Sequence, residues 1–477
     1  MMPRSPLRGV LALAFICCCL SANAEDWNRF RGPNGSGVAE TAGLPAAFGP
    51  DTNVTWKTTL PPGYSSPVLS DDRLFLTAVE DEKLFTYCLS RKTGELIWKH
   101  ECPRPRTEKL DRRNNPAAAT PVVDGDSVVV FFGDFGLISY DLEGNERWRR
   151  PLGPFNNSYG LGASPIIVDD LVVLVCDQRT DSFIIALDKQ TGEPRWRRPR
   201  IDAISGHSTP VVYQAAGGTP KILAPGSFRM DAYSPETGES EWWVYGLPSE
   251  MKSVPIVNGD TVYVAGYNVP INDAGQQITV PPFTQALEEY DADGNSKVAR
   301  DELPQGRLQQ LVGFSDRDRD GGLDADEWRI YAAAQSSENG LRAIKLGGKG
   351  DTTATSLAWK YPRAVPQLPS PLLYQGVLYM VNDGGILTML RPESGDLIKQ
   401  MRLRGAVDHY FASPVAADGK VFFVSQAGAV TVLSAGDKPE ILSVNELNEE
   451  TYATPAIADG QIYIRTAGTL YCFGKNR

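Results

Sequence analysis

Short apolar runs separated by turn residues recur along most of the chain. Residues 120–148, T-P-V-V-D-G-D-S-V-V-V-F-F-G-D-F-G-L-I-S-Y-D-L-E-G-N-E-R-W, contain four such runs divided by D-G-D, G-D-F-G and E-G-N. Runs rich in β-branched and aromatic residues between Gly, Asp and Asn turns are typical of strands joined by hairpins. Each unit of this kind therefore predicts a four-stranded antiparallel sheet.

The unit begins with a phrase, usually Ser or Thr before Pro and two apolar residues, that occurs eight times. Its prolines are Pro67, Pro121, Pro165, Pro210, Pro255, Pro371, Pro414 and Pro455. Successive prolines lie 54, 44, 45, 45, 116, 43 and 41 residues apart. A four-stranded unit of about 44 residues is typical of one blade of a β-propeller.

The last unit lacks a fourth strand, and a spare strand stands at the other end of the chain. The eighth unit stops at Y-C-F-G-K-N-R, whereas N-V-T-W-K-T-T-L, residues 53–60, precedes the first unit. Pairing these segments would close a ring and cover an open sheet edge. The sequence thus predicts an all-β, eight-bladed β-propeller over residues 25–270 and 339–477, closed by 53–60. A linear solenoid, the alternative, leaves the displaced strand unexplained.

The fourth strands carry a recurrent tryptophan after a Gly turn. The motif I-I-A-L-D-K-Q-T-G-E-P-R-W, residues 184–196, resembles the tryptophan-docking signature of pyrroloquinoline-quinone (PQQ) type propellers. The opening D-W-N-R-F-R-G-P-N-G-S-G, residues 26–37, resembles that of secreted bacterial PQQ-like repeat proteins. This resemblance implies relatives of two kinds, the quinoprotein dehydrogenases and the BamB-like scaffold of outer-membrane barrel assembly. The motif itself indicates fold rather than chemistry, because the tryptophan packs between blades.

The interval of 116 residues places an insertion inside blade five, between T-V-Y-V-A-G-Y at 261–267 and G-L-R-A-I-K-L at 340–346. Within it, S-D-R-D-R-D-G-G-L-D-A-D-E-W at 315–328 has the acid spacing of an EF-hand calcium loop. The predicted oxygen ligands are Asp316, Asp318, Asp320, the carbonyl of Gly322, Asp324 and Glu327. Gly321 suits the sharp turn at the sixth position of such a loop.

A second candidate loop precedes it, D-A-D-G-N-S-K-V-A-R-D-E at 291–302. Its predicted ligands are Asp291, Asp293, Asn295, the carbonyl of Lys297 and Glu302. Ser296 replaces the glycine of the sixth position, which costs about 1 kcal/mol if its φ is positive, and Ala299 offers no oxygen at the ninth. The sequence predicts an EF-hand pair over 271–338 holding two calcium ions, the first more weakly. A solvated acidic loop is the alternative.

Helical faces are expected on both sides of these loops. Phe283, Leu287 and Tyr290 fall on one face before the first loop, and Leu308, Leu311 and Val312 do so before the second. All first strands begin on the same face of the ring, and successive strands of a blade alternate in direction. The links between blades and the turns between second and third strands therefore lie on that face. The insertion is therefore expected beside the mouth of the central channel.

Residues that precede the first strands are expected at the same mouth. They are Tyr64, Asn115, Tyr159, His207, Lys252, Gln367, His409, Tyr410 and Tyr452. Aromatic and polar side chains together suit a pocket for a small molecule or glycan. Rim residues that only satisfy loop carbonyls are the alternative.

The N-terminus predicts export. Arg4 and Arg8 precede the apolar run V-L-A-L-A-F-I-C-C-C-L and then S-A-N-A, which is typical of a signal peptide, residues 1–24, cleaved after Ala24. The run is too short for a membrane anchor, and no later segment of the mature chain is apolar enough to cross. The periplasm or the extracellular space is the expected location. A net charge of −11 makes a nucleic-acid partner unexpected.

The remaining chemistry favours a non-catalytic role without excluding an enzyme. The mature chain keeps Cys88, Cys102, Cys176 and Cys472, whose disulfide pairing is open but which are expected to be buried small residues. Adjacent cysteines, which the quinoprotein resemblance would imply, do not occur in it. We expect an exported calcium-binding protein that binds or scaffolds an unknown protein or glycan partner. The alternative is an oxidoreductase of quinoprotein type acting on alcohols or sugars with PQQ.

Overall fold

Eight four-stranded antiparallel sheets surround a central channel. The computed structural model describes residues 27–474, so the predicted signal peptide lies outside the described residues. Each sheet runs as a meander from its first to its fourth strand. First strands of neighbouring blades contact one another, so they form the inner wall of the ring. The prediction of an eight-bladed propeller is confirmed.

The blades keep the same strand order, and their bounds are as follows. Blades one to four comprise Val68–Ser70, Arg73–Glu80, Lys83–Ser90, Leu96–Cys102; Val122–Asp124, Ser127–Phe132, Gly136–Asp141, Glu146–Pro151; Ile166–Val168, Leu171–Cys176, Phe183–Asp188, Pro194–Pro199; and Val211–Tyr213, Lys221–Pro225, Arg229–Tyr233, Ser240–Tyr245. Blades five to eight comprise Ile256–Asn258, Thr261–Gly266, Gly340–Lys345, Leu357–Tyr361; Leu372–Tyr374, Val377–Asn382, Ile386–Leu390, Leu397–Arg402; Val415–Ala417, Lys420–Val424, Ala429–Ser434, Ile441–Glu446; and Ala456–Ala458, Gln461–Arg465, Thr469–Gly474, Val54–Thr59. A fifth strand, Gly350–Asp351, lies parallel to the fourth strand of blade four.

The N-terminal strand closes the ring. Val54–Thr59 pairs antiparallel with Thr469–Gly474 and places Trp56 opposite Cys472. The apolar core is divided into clusters that lie between successive blades. The four described cysteines are buried within these clusters and unpaired, which confirms the expectation that they are small core residues.

The recurrent tryptophans join neighbouring blades through hydrogen bonds as well as packing. The indole Nε1 donates to a backbone carbonyl of the next blade at 3.0 Å from Trp56, 3.0 Å from Trp98, 2.8 Å from Trp148, 2.6 Å from Trp196 and 2.9 Å from Trp359. A turn glycine of that blade packs against the indole in each case: Gly94, Gly144, Gly192, Gly238 and Gly395. The pattern therefore explains why tryptophan and glycine recur together.

The residue before each repeat proline forms a ring of hydrogen bonds around the channel. The backbone amide of this residue donates to the side-chain hydroxyl of the equivalent residue in the next blade. The donor–acceptor distance is 2.9 Å for the amide of Val254 and 3.0 Å for the amides of Ser66, Thr120, Ser164, Ser370, Ser413 and Thr454. Val254 has no hydroxyl, so the amide of Thr209 lacks this acceptor. The Ser/Thr-Pro phrase thus links the inner ends of neighbouring blades through hydrogen bonds.

The described N-terminus runs through the channel, which the sequence did not predict. Residues 27–38, which we call the channel plug, bond to inner strands of several blades. These bonds are Leu69 N to Trp27 O at 2.9 Å, Val123 N to Asn28 O at 2.8 Å, Val212 N to Asn34 Oδ1 at 2.8 Å and Ala416 N to Gly37 O at 2.8 Å. A 3-10 turn, Pro33–Gly35, lies within the plug. Residues 27–38 therefore fill part of the channel.

The insertion, residues 271–338, is a small helical unit between the second and third strands of blade five. It contains the helices Phe283–Tyr290, Val312–Ser315 and Ala325–Ser336, the 3-10 turn Arg307–Gln309, and two-residue strands Val298–Ala299 and Gly322–Leu323. Pro270–Asn272 forms a 3-10 turn at its start, and Thr353–Ser356 is a helical turn later in blade five. The continuous helical face expected for 308–312 is wrong, because Leu311 has φ 66° and interrupts the helix.

Candidate functional site

The second acidic loop, residues 316–327, is organised around its own carboxylates. Oxygens of Asp316, Asp318 and Asp320 all lie within 4.8 Å of one another. Glu327 Oε1 accepts the backbone amide of Arg317 at 2.6 Å and that of Asp318 at 3.3 Å. Burial raises the pKa of the Glu327 carboxyl, although these amides oppose the effect. The loop therefore brings several carboxylate oxygens close together, and backbone amides donate hydrogen bonds to the carboxylate of Glu327.

The first acidic loop, residues 291–302, has the same internal arrangement with a strained turn. Oxygens of Asp291, Asp293 and Glu302 lie within 4.8 Å of one another. Glu302 Oε1 accepts the amide of Ala292 at 2.8 Å. Ser296 has φ 64°, so the sixth position does adopt the left-handed conformation that disfavours a side chain. The second loop has a glycine, Gly321, at its sixth position, but its fourth residue, Arg319, has φ 64° where the first loop has Gly294.

The two loops lie side by side and are coupled by backbone and side-chain contacts. Val298 pairs with Leu323 and Ala299 with Gly322 in a short antiparallel ladder. Lys297, whose carbonyl is a predicted ligand of the first loop, forms an ion pair through its side chain with Asp320 of the second. A change in one loop can therefore reach the other directly.

The insertion packs on blades three and four rather than standing free. Ile330 and Ala334 of the helix Ala325–Ser336 are buried against Ile204 and Phe228 of the propeller. Arg329 of the same helix pairs with Asp202. Below this contact, Arg200 and Asp177 form a buried ion pair at 2.7 Å. The helix that follows the second acidic loop is thus fastened to the link between blades three and four.

A second contact joins the loop itself to blade three. Arg179, in the turn between the second and third strands, donates through Nε to the backbone carbonyl of Arg317 at 3.0 Å. In return, Arg317 Nε donates to the carbonyl of Arg179 at 2.8 Å. The second acidic loop is therefore held to the propeller near both of its ends, at Arg317 and through the helix Ala325–Ser336.

A pocket of about 260 Å³ opens at the channel mouth and contains most of the residues expected there. Of these, the structure brings together Tyr64, Tyr159, His207, Lys252, Gln367 and Tyr452. Asn115 lines a neighbouring cleft instead. Tyr410 is buried and donates to the carbonyl of Ala406 at 2.7 Å. His409 points to Asp383 at 3.3 Å, outside the pocket lining.

Several lining residues were not found from the sequence. Asp111 and Arg113 come from the first interval, whose length of 54 residues exceeds its neighbours and could have signalled an added loop. Glu250 lies two residues before Lys252 on the same link and pairs with it at 3.0 Å. Phe30 of the channel plug also lines the pocket. No local pattern predicts this, because the position of Phe30 depends on how residues 27–38 pack against the inner strands.

The polar groups of the pocket are held by neighbours. Ser205 donates to Glu250 Oε1 at 2.6 Å, and Ser205 follows Ile204, the residue beneath the helix of the insertion. Burial alone raises the pKa of Glu250, but Lys252, His207 and the hydrogen bonds outweigh it, and the net pKa is lowered. Burial lowers the pKa of His207. The link between blades three and four thus touches both the insertion and the pocket.

Solved structures with the same fold include proteins of different kinds. BamB from Moraxella catarrhalis is 12% identical, with a TM-score of 0.56 over 88% of this chain and 98% of that one. A quinohemoprotein alcohol dehydrogenase from Pseudomonas putida is also 12% identical, with a TM-score of 0.56 over 95% and 80%. A europium-containing methanol dehydrogenase is 11% identical, with a TM-score of 0.52 over 94% and 98%. At these identities the likeness shows the fold alone.

No curated protein matches the sequence. Residues 27–474 contain no helix that is both long and apolar enough to cross a membrane.

The sequence does match a family model over most of its length. The model described as outer membrane protein assembly factor BamB matches residues 38–213, 89–276 and 180–476. The chain therefore belongs to the family of outer membrane protein assembly factor BamB, whose repeats build a PQQ-like propeller.

Proposed function

We propose that this protein is an exported, calcium-binding propeller that acts as a binding or scaffold protein through its channel-mouth face. The observation that carries the proposal is the pair of acidic loops, with carboxylate oxygens gathered within 4.8 Å in each and the loops joined through Val298 and Leu323. Oxygen donors at this spacing suit calcium, which takes six to eight of them in a flexible shell. The insertion is then an EF-hand pair spanning 271–338.

Calcium would act on the channel mouth by ordering the insertion. Each ion would neutralise carboxylates that otherwise repel one another across a few ångströms. The predicted ligand Glu327 lies in the first turn of the helix that packs on Ile204. Ser205, which follows Ile204, holds Glu250 in the pocket. An ordered insertion would therefore keep this side of the pocket in one arrangement.

Calcium titration by calorimetry tests the proposal. We expect two binding sites in the wild type and a rise in the unfolding temperature with calcium, since a ligand of the folded state stabilises it. Glu327→Gln should weaken the tighter site at least about tenfold, because it removes one carboxylate from the shell. Asp326→Asn is the matched control, since Asp326 is an adjacent acid with an 83% exposed side chain and no ligand position. Equal calcium binding by the wild type and Glu327→Gln would overturn the assignment.

The second candidate function, oxidation of alcohols or sugars with PQQ, is supported only by the shared fold. PQQ carries several carboxylates and would need unpaired cations. In the pocket, Arg113 is paired with Asp111 at 2.7 Å and Lys252 with Glu250 at 3.0 Å, while Phe30 of the channel plug occupies part of the lining. These residues do not fit PQQ. Absorbance changes and dye-linked alcohol oxidation after adding PQQ with calcium would reverse this judgement.

A further inference from the structure

The channel-mouth pocket is walled by aromatic rings that come from several blades. Its rings belong to Phe30, Tyr64, Tyr159, His207, Phe411 and Tyr452. Tyr64 and Tyr452 stack in parallel with ring centroids 4.0 Å apart, and Phe411 meets Tyr452 edge-on at 5.0 Å. On the opposite side, Tyr159 meets His207 edge-on at 6.0 Å. A ligand in this pocket would therefore need an apolar face.

The charged groups of the lining are already neutralised by one another. Arg113 pairs with Asp111 at 2.7 Å, and Lys252 pairs with Glu250 at 3.0 Å. Burial lowers the pKa of His207, which favours its neutral form. A charged ligand would have to break one of these pairs or remain uncompensated, which is costly in a partly desolvated site. The lining therefore favours a neutral ligand that is rich in hydroxyl groups.

Two buried arginines of the channel plug do not alter this balance at the pocket surface. Arg31 donates to the carbonyls of Gly35 at 3.0 Å and Pro371 at 2.8 Å. Arg29 donates to the carbonyl of Pro210. Neither arginine lines the pocket. Arg31 thus bonds both within the plug and to the link before the first strand of blade six, whereas Arg29 Nε is buried without a partner among the described residues.

We propose that this pocket binds a neutral saccharide unit. A pyranose ring presents C–H groups on its faces, which pack on aromatic rings, and hydroxyls at its edge, which suit paired acidic and basic side chains. The volume of about 260 Å³ fits one ring-sized unit better than an extended peptide. This inference rests on the proposed function, because it takes the channel-mouth pocket as the binding site of the protein.

Calorimetry on the full chain in excess calcium tests the inference. The probes are neutral polysaccharides (amylose, laminarin, xylan and galactomannan), polygalacturonate as an acidic one, PQQ, and a pool of random octapeptides. Tyr159→Ala is the pocket variant, since Tyr159 is 39% exposed and its removal should cost the fold little. Tyr159→Trp retains a ring at that position. Leu397→Ala is the control, an apolar residue 51% exposed on the outer strand of blade six.

We expect at least one neutral polysaccharide to bind. Its affinity should fall about tenfold in Tyr159→Ala and stay within about twofold of wild type in Tyr159→Trp and Leu397→Ala. Binding should change little between about 0.05 and 0.5 M NaCl, since no net charge is neutralised.

Four outcomes would overturn the saccharide proposal: preference for polygalacturonate or PQQ with steep salt dependence, binding of peptides alone, equal neutral-polymer binding by Tyr159→Ala, or no binding to any probe. A calcium titration of the same protein preparations, made before calcium is added, separates failure of the saccharide proposal from failure of the proposed function. Intact calcium binding without saccharide binding would remove only the saccharide, whereas loss of both would remove the proposed function as well.

Discussion

At the scale of single residues, Glu250 is the most enclosed acid of the channel-mouth pocket, with a side chain 13% exposed against 27% for Asp111. Its carboxylate is held by Lys252 at 3.0 Å and by the hydroxyl of Ser205 at 2.6 Å. Burial opposes the charged form, but these partners outweigh it, so the folded-state pKa lies below the ordinary value of 4.5. The charge of Glu250 therefore stabilises the folded protein.

The lowered pKa predicts a loss of stability in acid. A carboxyl whose pKa is lower in the folded state stabilises it above the unfolded-state pKa, and this contribution disappears as the pH falls through the folded-state value. The unfolding temperature of the wild type should thus drop more steeply below about pH 4.5 than that of Glu250→Gln. Lys252→Gln should also flatten the drop, because it removes the main attractive charge. Parallel pH profiles for all three proteins would contradict the prediction.

At the scale of elements, the fourth strands explain why tryptophan and glycine recur together. Gly192 has φ +70°, and a Cβ there would lie 2.5 Å from Cδ2 of Trp148. The turn thus needs glycine twice, once for its backbone conformation and once for the close approach of the indole. Trp148 Nε1 then reaches the carbonyl of Lys189 at 2.8 Å. One turn and one side chain therefore join two blades.

Two glycine substitutions separate these requirements. Gly192→Ala should lower the free energy of unfolding by about 2–4 kcal/mol, from backbone strain plus collision with Trp148. Gly259→Ala is the matched control: its φ is +59° but a Cβ would meet nothing within 4 Å, so it should cost about 1 kcal/mol. Urea unfolding measures both. A loss for Gly192→Ala no larger than that for Gly259→Ala would refute the role of the indole.

At the scale of the whole molecule, the ring depends on bonds between residues far apart in sequence. Ser66 and Thr454 sit near opposite ends of the chain, yet Thr454 N donates to Ser66 Oγ at 3.0 Å. Val54–Thr59 and Thr469–Gly474 complete the last blade. The toroid is therefore closed twice, once at the inner wall and once at the outer strand of blade eight.

A serine substitution at the inner wall measures how much one such hydrogen bond contributes to the free energy of unfolding. Ser370 Oγ accepts the buried amide of Val254 at 2.9 Å. Ser370→Ala should cost about 1–3 kcal/mol of unfolding free energy, because the amide loses its acceptor away from water. Ser139→Ala is the control, since the Ser139 hydroxyl is buried without a partner among the described residues, and its loss should stay within about 0.5 kcal/mol. Equal costs would disprove the role of the hydroxyl ring.

The sequence alone determined the eight blades, the closing strand and the acidic loops, because strands, tight turns and the spacing of acidic residues are local features of the sequence. It also named six of the residues that line the pocket, since links between blades meet at one mouth in any propeller. Only the tertiary structure decided that Phe30 lines the pocket, that Glu250 neutralises Lys252, and that the insertion packs on Ile204. Those positions depend on how segments distant in sequence pack against one another, and no local pattern records that packing.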